Sequence, residues 1–189
     1  RSVRLTNPVL DAWAAILRAV PEARLLLNAV GFREAATRDD FTGRLADRGI
    51  EPERVEARYG SPPWPDYARM HVALDPFPHN AGTTTLDALL MGVPVVSLRD
   101  RPPAGRFGDS ILSAAGLGDW VADDRDGYIR LAVTAARDAE RLAALRAGLR
   151  GRVEASPLMD TTRFTRAVED AYRRMWHTWC AAPAAGGTE

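Results

Sequence analysis

The stretch HVALDPFPHNAGTTTLDALLMGVPVVSL, residues 71–98, decides the fold. Residues 71–75 and 94–98 are short apolar runs, which are typical of strands buried on both faces of a sheet. Between them, Thr84 to Met91 has the pattern of a helix, and Gly92 is a typical residue to end it. Because two strands joined in this way run parallel, the stretch predicts one strand–helix–strand unit of a parallel sheet.

The same alternation of strands and helices continues on both sides of this unit. Further short apolar runs predict strands at 24–30, 55–59 and 120–122. Apolar residues at helical spacing predict helices at 8–20, up to 48, around 67, at 108–115 and over most of 128–179. Apolar strands that alternate with helices over short loops form a parallel sheet covered on both faces. The predicted fold class is therefore α/β, with a Rossmann-like parallel sheet and helices on both of its faces.

The length and the charge of the chain limit what it binds. A chain of 189 residues fits one compact domain, which we expect at 1–180, followed by a disordered tail at 181–189. The 25 basic side chains are balanced by 25 acidic ones, which argues against a basic surface for nucleic acid or an anionic membrane. No apolar run approaches the roughly 20 residues that cross a bilayer. We expect neither a nucleic acid nor a membrane as partner.

The residue types add two constraints. Cys180 is the single cysteine, so an internal disulfide is excluded, and no Cys/His cluster has the spacing of a metal site. A reducing, cytosolic (cytoplasmic) setting is expected. All basic residues are arginines, which together with the many alanines is typical of a genome-composition bias. A cationic contact to a phosphate must therefore come from a guanidinium, which donates as a planar fork.

The loop after the strand at 71–75 is the candidate ligand site. Ligands of an open parallel sheet bind at the carboxyl ends of its strands, where helix N-termini point free N–H groups outward. Gly82 lets the backbone approach a phosphate, and the hydroxyls of Thr83 and Thr84 add donors at the first helical turn. Asp87, one turn further on, is suited to accept hydrogen bonds from sugar hydroxyls. In a simpler interpretation, a threonine caps the helix and Asp87 favours its dipole.

A longer string of residues carries a resemblance to a known family. LDPFPHNAGTTT at 74–85, with DAL at 87–89 and MGVPVV at 91–96, resembles the C-terminal catalytic lobe of O-GlcNAc transferase-type glycosyltransferases. That family includes bacterial homologues and the plant Spindly proteins. Further matches lie at 104–106 with 110, at 114–117, at 155–158 and at 171–176. The resemblance covers roughly 5–179, in the order and approximate spacing of the family.

The resemblance implies a function and a larger protein. Members have a GT-B architecture, in which the C-terminal Rossmann-like lobe binds a UDP-sugar. An N-terminal catalytic lobe, often preceded by helical repeats of the TPR type, supplies much of the acceptor side. The implied reaction is transfer of a sugar from UDP to a Ser or Thr hydroxyl of an acceptor protein. Because the candidate site has no Asp-x-Asp element, we expect no metal and no other cofactor.

The resemblance also assigns roles to individual residues. The residues expected to bind the UDP-sugar are His79, Asn80, Ala81, Gly82, Thr83, Thr84 and Asp87. Among them, the helix N-terminus at 82–84 would hold the diphosphate, Asp87 would bind the ribose hydroxyls, and His79 and Asn80 would line the donor pocket. No metal ligand is expected.

Two positions depart from the family pattern. Members place a Lys just before the first helix of this lobe, where it neutralises charge on the leaving diphosphate, and the matching position here is Arg4. We expect Arg4 to take this catalytic role, the alternative being a solvated terminal residue. Many members have a His beside the nucleotide base where this chain has Pro63, and Trp64 offers a stacking face instead. The base and the sugar, whether GlcNAc, glucose or fucose, stay open.

Two further interpretations stay open, one of them without catalysis. GT-B chemistry takes place in the cleft between two lobes, so this chain alone would bind a nucleotide and not turn it over. Alternatively the same fold serves another reaction, such as that of a UDP-sugar epimerase. Those enzymes usually carry a glutamate-rich signature after the elbow, whereas residues 84–89 read TTLDAL. Helix packing explains the tryptophans Trp13, Trp176 and Trp179 better than ligand binding does.

Overall fold

The computed structural model describes residues 4–181. Its strands form two parallel sheets, one with the order β1-β2 and one with the order β3-β4-β5. The strands are β1 (Leu25–Asn28), β2 (Val55–Arg58), β3 (Ala73–Leu74), β4 (Val95–Leu98) and β5 (Val121–Ala122). Leu25 lies opposite Val55 in the first sheet, and in the second Ala73 lies opposite Val95. The parallel pairing confirms the predicted α/β class.

Helices connect the strands and cover them. The helices between residues 4 and 181 are α1 (Asn7–Ala19), α2 (Ala35–Ala46), α3 (Trp64–Tyr67), α4 (Thr83–Leu90), α5 (Phe107–Ala114), α6 (Arg125–Arg137), α7 (Ala139–Glu154) and α8 (Thr161–Ala181). Short 3-10 turns join several of them, for example at Val30–Arg33 and at Ala104–Arg106. In this part of the chain, no helix combines the length and the apolar composition that a membrane span requires.

One apolar core covers one face of both sheets. It joins Leu25 of β1 and Val96 of β4 to the buried sides of α1 and α6. Trp13 of α1 lies in this core, and its indole N–H donates to the hydroxyl of Tyr128 in α6 at 3.0 Å. The two sheets are therefore held together by shared packing under α1 and α6.

A second core covers the opposite face of β4. There Val95 packs with Leu89 of α4, Leu112 of α5 and Leu149 of α7. Since successive side chains of a strand point to opposite faces, Val95 belongs to this core while Val96 belongs to the first. All four residues of β4 are buried, as expected for a central strand of a sheet covered on both faces.

The predicted strand at 71–75 is shorter in the structure. Residues 71 and 72 form a bend, and the strand itself is Ala73–Leu74. Two hydrogen bonds continue the pairing beyond it: Ala73 N–H donates to Pro94 O at 2.8 Å, and Asp75 N–H donates to Val96 O at 2.9 Å. Asp75 is thus fixed to β4 at the point where the candidate loop begins.

The C-terminal helix corrects one expectation. Trp13 packs as predicted, but Trp176 and Trp179, also predicted to pack, are 64% and 75% exposed. No residue of α8 is buried, and the helix contacts the fold mainly through the turn at Pro157–Met159. The apolar spacing predicts an amphipathic helix but says nothing about what covers it. Ala181 ends α8, and the rest of the tail predicted at 181–189 lies outside the described residues.

Two glycines near the end of α2 give a matched test of the backbone. Gly49 has a φ of +76°, whereas Gly43 lies within α2, and an added Cβ would meet nothing within 4 Å at either position. Gly49→Ala is expected to lower the free energy of unfolding by about 1 kcal/mol, because L side chains disfavour the left-handed region. Gly43→Ala is expected to raise it by up to about 1 kcal/mol through helix propensity. Thermal unfolding measures both changes, and shifts of the same sign would contradict this account.

Candidate functional site

The loop between β3 and α4 lies at the carboxyl edge of the second sheet. The end of this loop and the first two residues of α4, together residues 79–84, are called the elbow below. Backbone contacts fix the elbow, since Asn80 N–H donates to Ala104 O at 3.0 Å. The Asn80 side chain points into the protein, and its amide donates to Pro76 O and Leu98 O, both at 3.3 Å. The structure therefore brings Asn80 to the elbow as a fully buried anchor.

The first turn of α4 presents unused donors. Gly82 is the N-cap residue, and no side chain caps this helix. The N–H groups of Gly82, Thr83 and Thr84 make no hydrogen bond to another residue in the range 4–181. Thr83 and Thr84 are exposed, whereas the hydroxyl of Thr85 donates back to Ala81 O at 3.0 Å. The simpler interpretation of this sequence, a threonine cap, is not what the structure contains.

The Arg4 side chain contacts the elbow. Its Nη1 donates to Asn80 O at 3.1 Å, and its Nη2 lies 3.1 Å from Nε2 of the exposed His79. The guanidinium comes from the segment before α1, 75 residues away from His79 in sequence. A cation therefore stands beside the N-terminus of α4, where both favour an anion.

Asp75 is a buried acid beneath the elbow that the sequence analysis missed. It is 3% exposed, and its carboxylate accepts from Ala81 N–H and from the Ser97 hydroxyl, both at 2.7 Å. Burial raises the pKa of Asp75 to about 6, although these two donors and the charge of Arg4 oppose the rise. The only signal in the sequence is an acidic residue at the end of an apolar strand.

Asp87 belongs to a second group of residues beside the elbow. The pKa of Tyr67 is raised, first by burial and then by the negative charge of Asp87, so the phenol lies within the field of this carboxylate. The ring of Trp64 stacks on Tyr67, with centroids 6.3 Å apart and planes at 25°. Trp64 is 46% exposed. Trp64 therefore offers an exposed aromatic face beside Tyr67.

The loop that carries Trp64 is tied to the ends of β1 and β2. Asn28 of β1 donates to the buried carboxylate of Asp66 at 2.6 Å and to Gly60 O at 2.9 Å. Arg58 of β2 pairs with the same carboxylate at 3.0 Å. These contacts hold the aromatic surface at the carboxyl edge of the first sheet.

Other charged side chains near the elbow form ion pairs with one another. Arg106 donates to Asp100 O at 3.1 Å and lies 3.4 Å from Asp109. Arg99 pairs with Asp109 at 2.8 Å, and its hydrogen bond is the main reason why the pKa of Asp109 is lowered. Within the described residues, no three His, Cys, Asp or Glu side chains are grouped so that they could hold a metal ion.

A comparison with known protein families shows the family to which this chain belongs. The model of glycosyl transferase family 41 matches residues 3–168. The chain belongs to glycosyl transferase family 41. The fold is the Rossmann-like lobe of a GT-B glycosyltransferase, since it superposes on a lysine-to-methionine mutant of the O-GlcNAc transferase from Thermobaculum terrenum with a TM-score of 0.88 and 40% identity.

Relatives in family 41 are much longer than this chain. The chain is 38% identical over 185 residues to a probable UDP-N-acetylglucosamine–peptide N-acetylglucosaminyltransferase SPINDLY of Oryza sativa subsp. japonica. It is 29% identical over 176 residues to a UDP-N-acetylglucosamine–peptide N-acetylglucosaminyltransferase of Caenorhabditis elegans. These matches cover 96% and 92% of this chain, but 20% and 15% of the relatives. The match to the Thermobaculum structure covers 94% of this chain and 35% of that one.

The pKa of Asp75 predicts an unusual pH dependence of stability. Between an unfolded pKa of about 3.9 and a folded pKa of about 6, the folded state binds more protons than the unfolded state. This acid therefore lowers the free energy of unfolding as the pH rises from 4 to 6. Asp75→Asn should match wild type most closely at pH 4 and gain melting temperature relative to it up to pH 7, as measured by circular dichroism.

Asp109→Asn provides a control of opposite sign. The pKa of Asp109 is lowered by its pairing with Arg99, so this carboxylate stabilises the folded state above its unfolded pKa. The variant should be less stable than wild type throughout pH 5–7, with a deficit that shrinks only below about pH 4. A difference between Asp75→Asn and wild type that is the same at every pH would contradict the assignment of a raised pKa to Asp75.

Proposed function

We propose that residues 1–180 are the donor-binding lobe of a UDP-sugar-dependent protein O-glycosyltransferase. The observation that carries this proposal is the set of unused N–H groups at Gly82, Thr83 and Thr84, together with the Arg4 guanidinium on Asn80 O of the same elbow. A diphosphate needs N–H donors and positive charge in one small region, and a helix N-terminus supplies the donors. The membership in family 41 supports the same conclusion.

The chemistry of sugar transfer explains why these groups matter. The acceptor oxygen attacks the anomeric carbon of the sugar, and the bond from that carbon to the β-phosphate oxygen breaks. Negative charge then builds up on the departing diphosphate. The helix N–H groups and the fork of Arg4 would stabilise this charge, so that we expect no requirement for a divalent metal.

The rest of the donor would lie along the groups beside the elbow. Asp87 would accept hydrogen bonds from the ribose hydroxyls, and the exposed face of Trp64 would stack on the base. His79 and Ala81, at the surface of the elbow, would line the sugar side of the pocket, while Asn80 would contribute its backbone. The relatives in rice and nematode are named for UDP-N-acetylglucosamine, which favours this nucleotide sugar as the donor.

A second lobe would complete the active site. The chain spans about a fifth of the length of its rice relative, and α8 exposes an aromatic stripe that nothing in residues 4–181 covers. Its residues are Phe164, Tyr172, Met175, Trp176 and Trp179. A contiguous apolar patch of this kind marks an interaction surface. We propose that the N-terminal catalytic lobe of a longer protein with helical repeats covers this stripe and supplies the site for a Ser/Thr acceptor.

A cytoplasmic location in a bacterium remains part of the proposal. The single cysteine fits a reducing compartment, and the arginine-rich, lysine-free composition fits a genome bias. Detection of the parent protein in the soluble cytoplasmic fraction of its host would test the location.

Calorimetric titration of the chain tests the donor grip. We expect binding of UDP and UDP-N-acetylglucosamine, weaker binding of GDP, and no effect of EDTA. The double variant Thr83→Ala/Asp87→Ala should bind UDP about 30-fold more weakly, since it loses one neutral and one charged hydrogen bond, about 2 kcal/mol together. The matched variant Thr165→Ala/Asp170→Ala on exposed α8 should bind like wild type. Equal binding by wild type and the first double variant would refute the grip.

The two-lobe proposal predicts that the chain binds the donor without turning it over. Incubation with UDP-N-acetylglucosamine and a Ser/Thr-containing peptide should release no UDP above the blank, because the acceptor side of the cleft is missing. Mass spectrometry of the nucleotide products gives the measurement. Transfer by this chain alone would contradict the need for a second lobe, and an epimerised UDP-sugar would favour the epimerase interpretation.

A further inference from the structure

We infer that Asp75 is a positioning residue of the donor site, which turns the Ala81 N–H inward so that the next three N–H groups of the elbow face the diphosphate. The inference rests on the proposed function, because it concerns the same grip. Asp75 itself would not touch the donor. Its role would be to fix the backbone that does.

Each polar group of Asp75 has a partner. One carboxylate oxygen accepts from Ala81 N–H and the other from the Ser97 hydroxyl, both at 2.7 Å. The backbone N–H donates to Val96 O at 2.9 Å, and the backbone O accepts from the Tyr128 hydroxyl at 3.0 Å. Contacts to β4 and α6 therefore fix Asp75 in place, and its carboxylate holds the elbow. The hydrogen bond that Ala81 N–H donates to so rigid an acceptor sets the position of Ala81.

The contacts of the elbow divide into two groups along the chain. Asn80 and Ala81 direct their N–H groups to Ala104 O and to Asp75. From Gly82 to Thr84 the N–H groups have no acceptor within residues 4–181. The change occurs directly after Ala81, so the bond to Asp75 is the last internal contact before the unused donors begin.

Close packing keeps water away from the carboxylate. A Cβ added at Gly108 would lie 2.0 Å from Ser97 Oγ and 2.7 Å from Asp75 Oδ2, so the first turn of α5 lies directly on this pair. Among the described residues, the charged or titratable groups whose influence reaches Asp75 are Arg4 and Tyr128. Of these two groups, Arg4 is the cation that stabilises the ionised form of Asp75.

Folding disfavours the ionised form of Asp75, which points to a role in function. Burial raises the pKa of Asp75 in spite of two hydrogen-bond donors and a nearby guanidinium, so the folded state disfavours this charge. Well-packed neutral side chains often replace buried charges without loss of stability. Local features that oppose folding concentrate at functional sites, and this one contacts the elbow directly.

Three variants separate positioning from general loosening. Asp75→Ala removes the acceptor of Ala81 N–H and should weaken binding of UDP by tenfold or more in calorimetric titration. Asp75→Asn keeps an acceptor oxygen and the side-chain shape, and should bind within threefold of wild type. Asp138→Ala is the control, since it removes a carboxylate that accepts a backbone N–H, that of Arg141 at the start of α7, and does not contact the elbow. It should lower the melting temperature and leave the affinity within threefold of wild type.

A spectroscopic measurement makes the test independent of whether Asp75→Ala folds. In 15N-labelled wild type, the amide proton of Ala81 should change its chemical shift with the titration of the Asp75 carboxyl and should exchange slowly with solvent. In Asp75→Asn the exchange should stay slow and the pH dependence should disappear. An Ala81 amide that exchanges freely in wild type would overturn the inference.

The outcomes also separate this inference from the proposed function. Equal binding of UDP by wild type and a folded Asp75→Ala would overturn the positioning role alone, as would a loss in Asp138→Ala as large as that in Asp75→Ala. Failure of wild type to bind UDP at all would overturn the proposed function and the inference together. A loss in Asp75→Ala that Asp75→Asn restores would support both.

Discussion

The geometry of the candidate site depends on the buried hydrogen bond between the Asp75 carboxylate and the Ala81 N–H. Asp75 is the residue at which the paired strand ends, and Ala81 is the residue after which the backbone donors become free. The contact therefore links the regular sheet to the irregular loop. Because it lies out of water, it is electrostatically stronger than a surface contact and equally costly to break. The direction in which α4 begins follows from it.

The two cores explain why this contact is rigid. Trp13 of α1 donates to Tyr128 of α6, and Tyr128 donates to the backbone of Asp75. This chain of hydrogen bonds crosses the first core, which also joins the two sheets. On the other face, α5 approaches so closely at Gly108 that no side chain fits there. The candidate site is thus built on packed elements, as a site needs if its donors are to be oriented before the ligand arrives.

The charged groups at the candidate site lie close together in space but come from distant parts of the sequence. The chain has no net charge, so a general field does not attract an anion. Arg4, from before the first helix, meets the elbow that follows the third strand. Burial and then the charge of Asp87 raise the pKa of Tyr67, whose ring stacks with Trp64. Asn28 and Arg58, at the ends of β1 and β2, hold this aromatic pair through Asp66. The candidate site therefore combines groups from both sheets, and the cation at its elbow is a guanidinium, whereas the family resemblance implies an amine at that position.

The sequence by itself determined the fold class and the elbow, because both rest on local patterns: apolar strands, helical spacing, and small and hydroxyl residues at one helix start. Tertiary structure decided the rest. Nothing local shows that Asn80 is buried, that Asp75 holds Ala81 N–H, or that no other part of residues 4–181 covers the stripe of α8. These properties depend on which distant surfaces meet, and periodicity reports only that a face is apolar, not what covers it. Burial and partners, which set the pKa of Asp75 and the free donors of α4, exist only once the chain has packed.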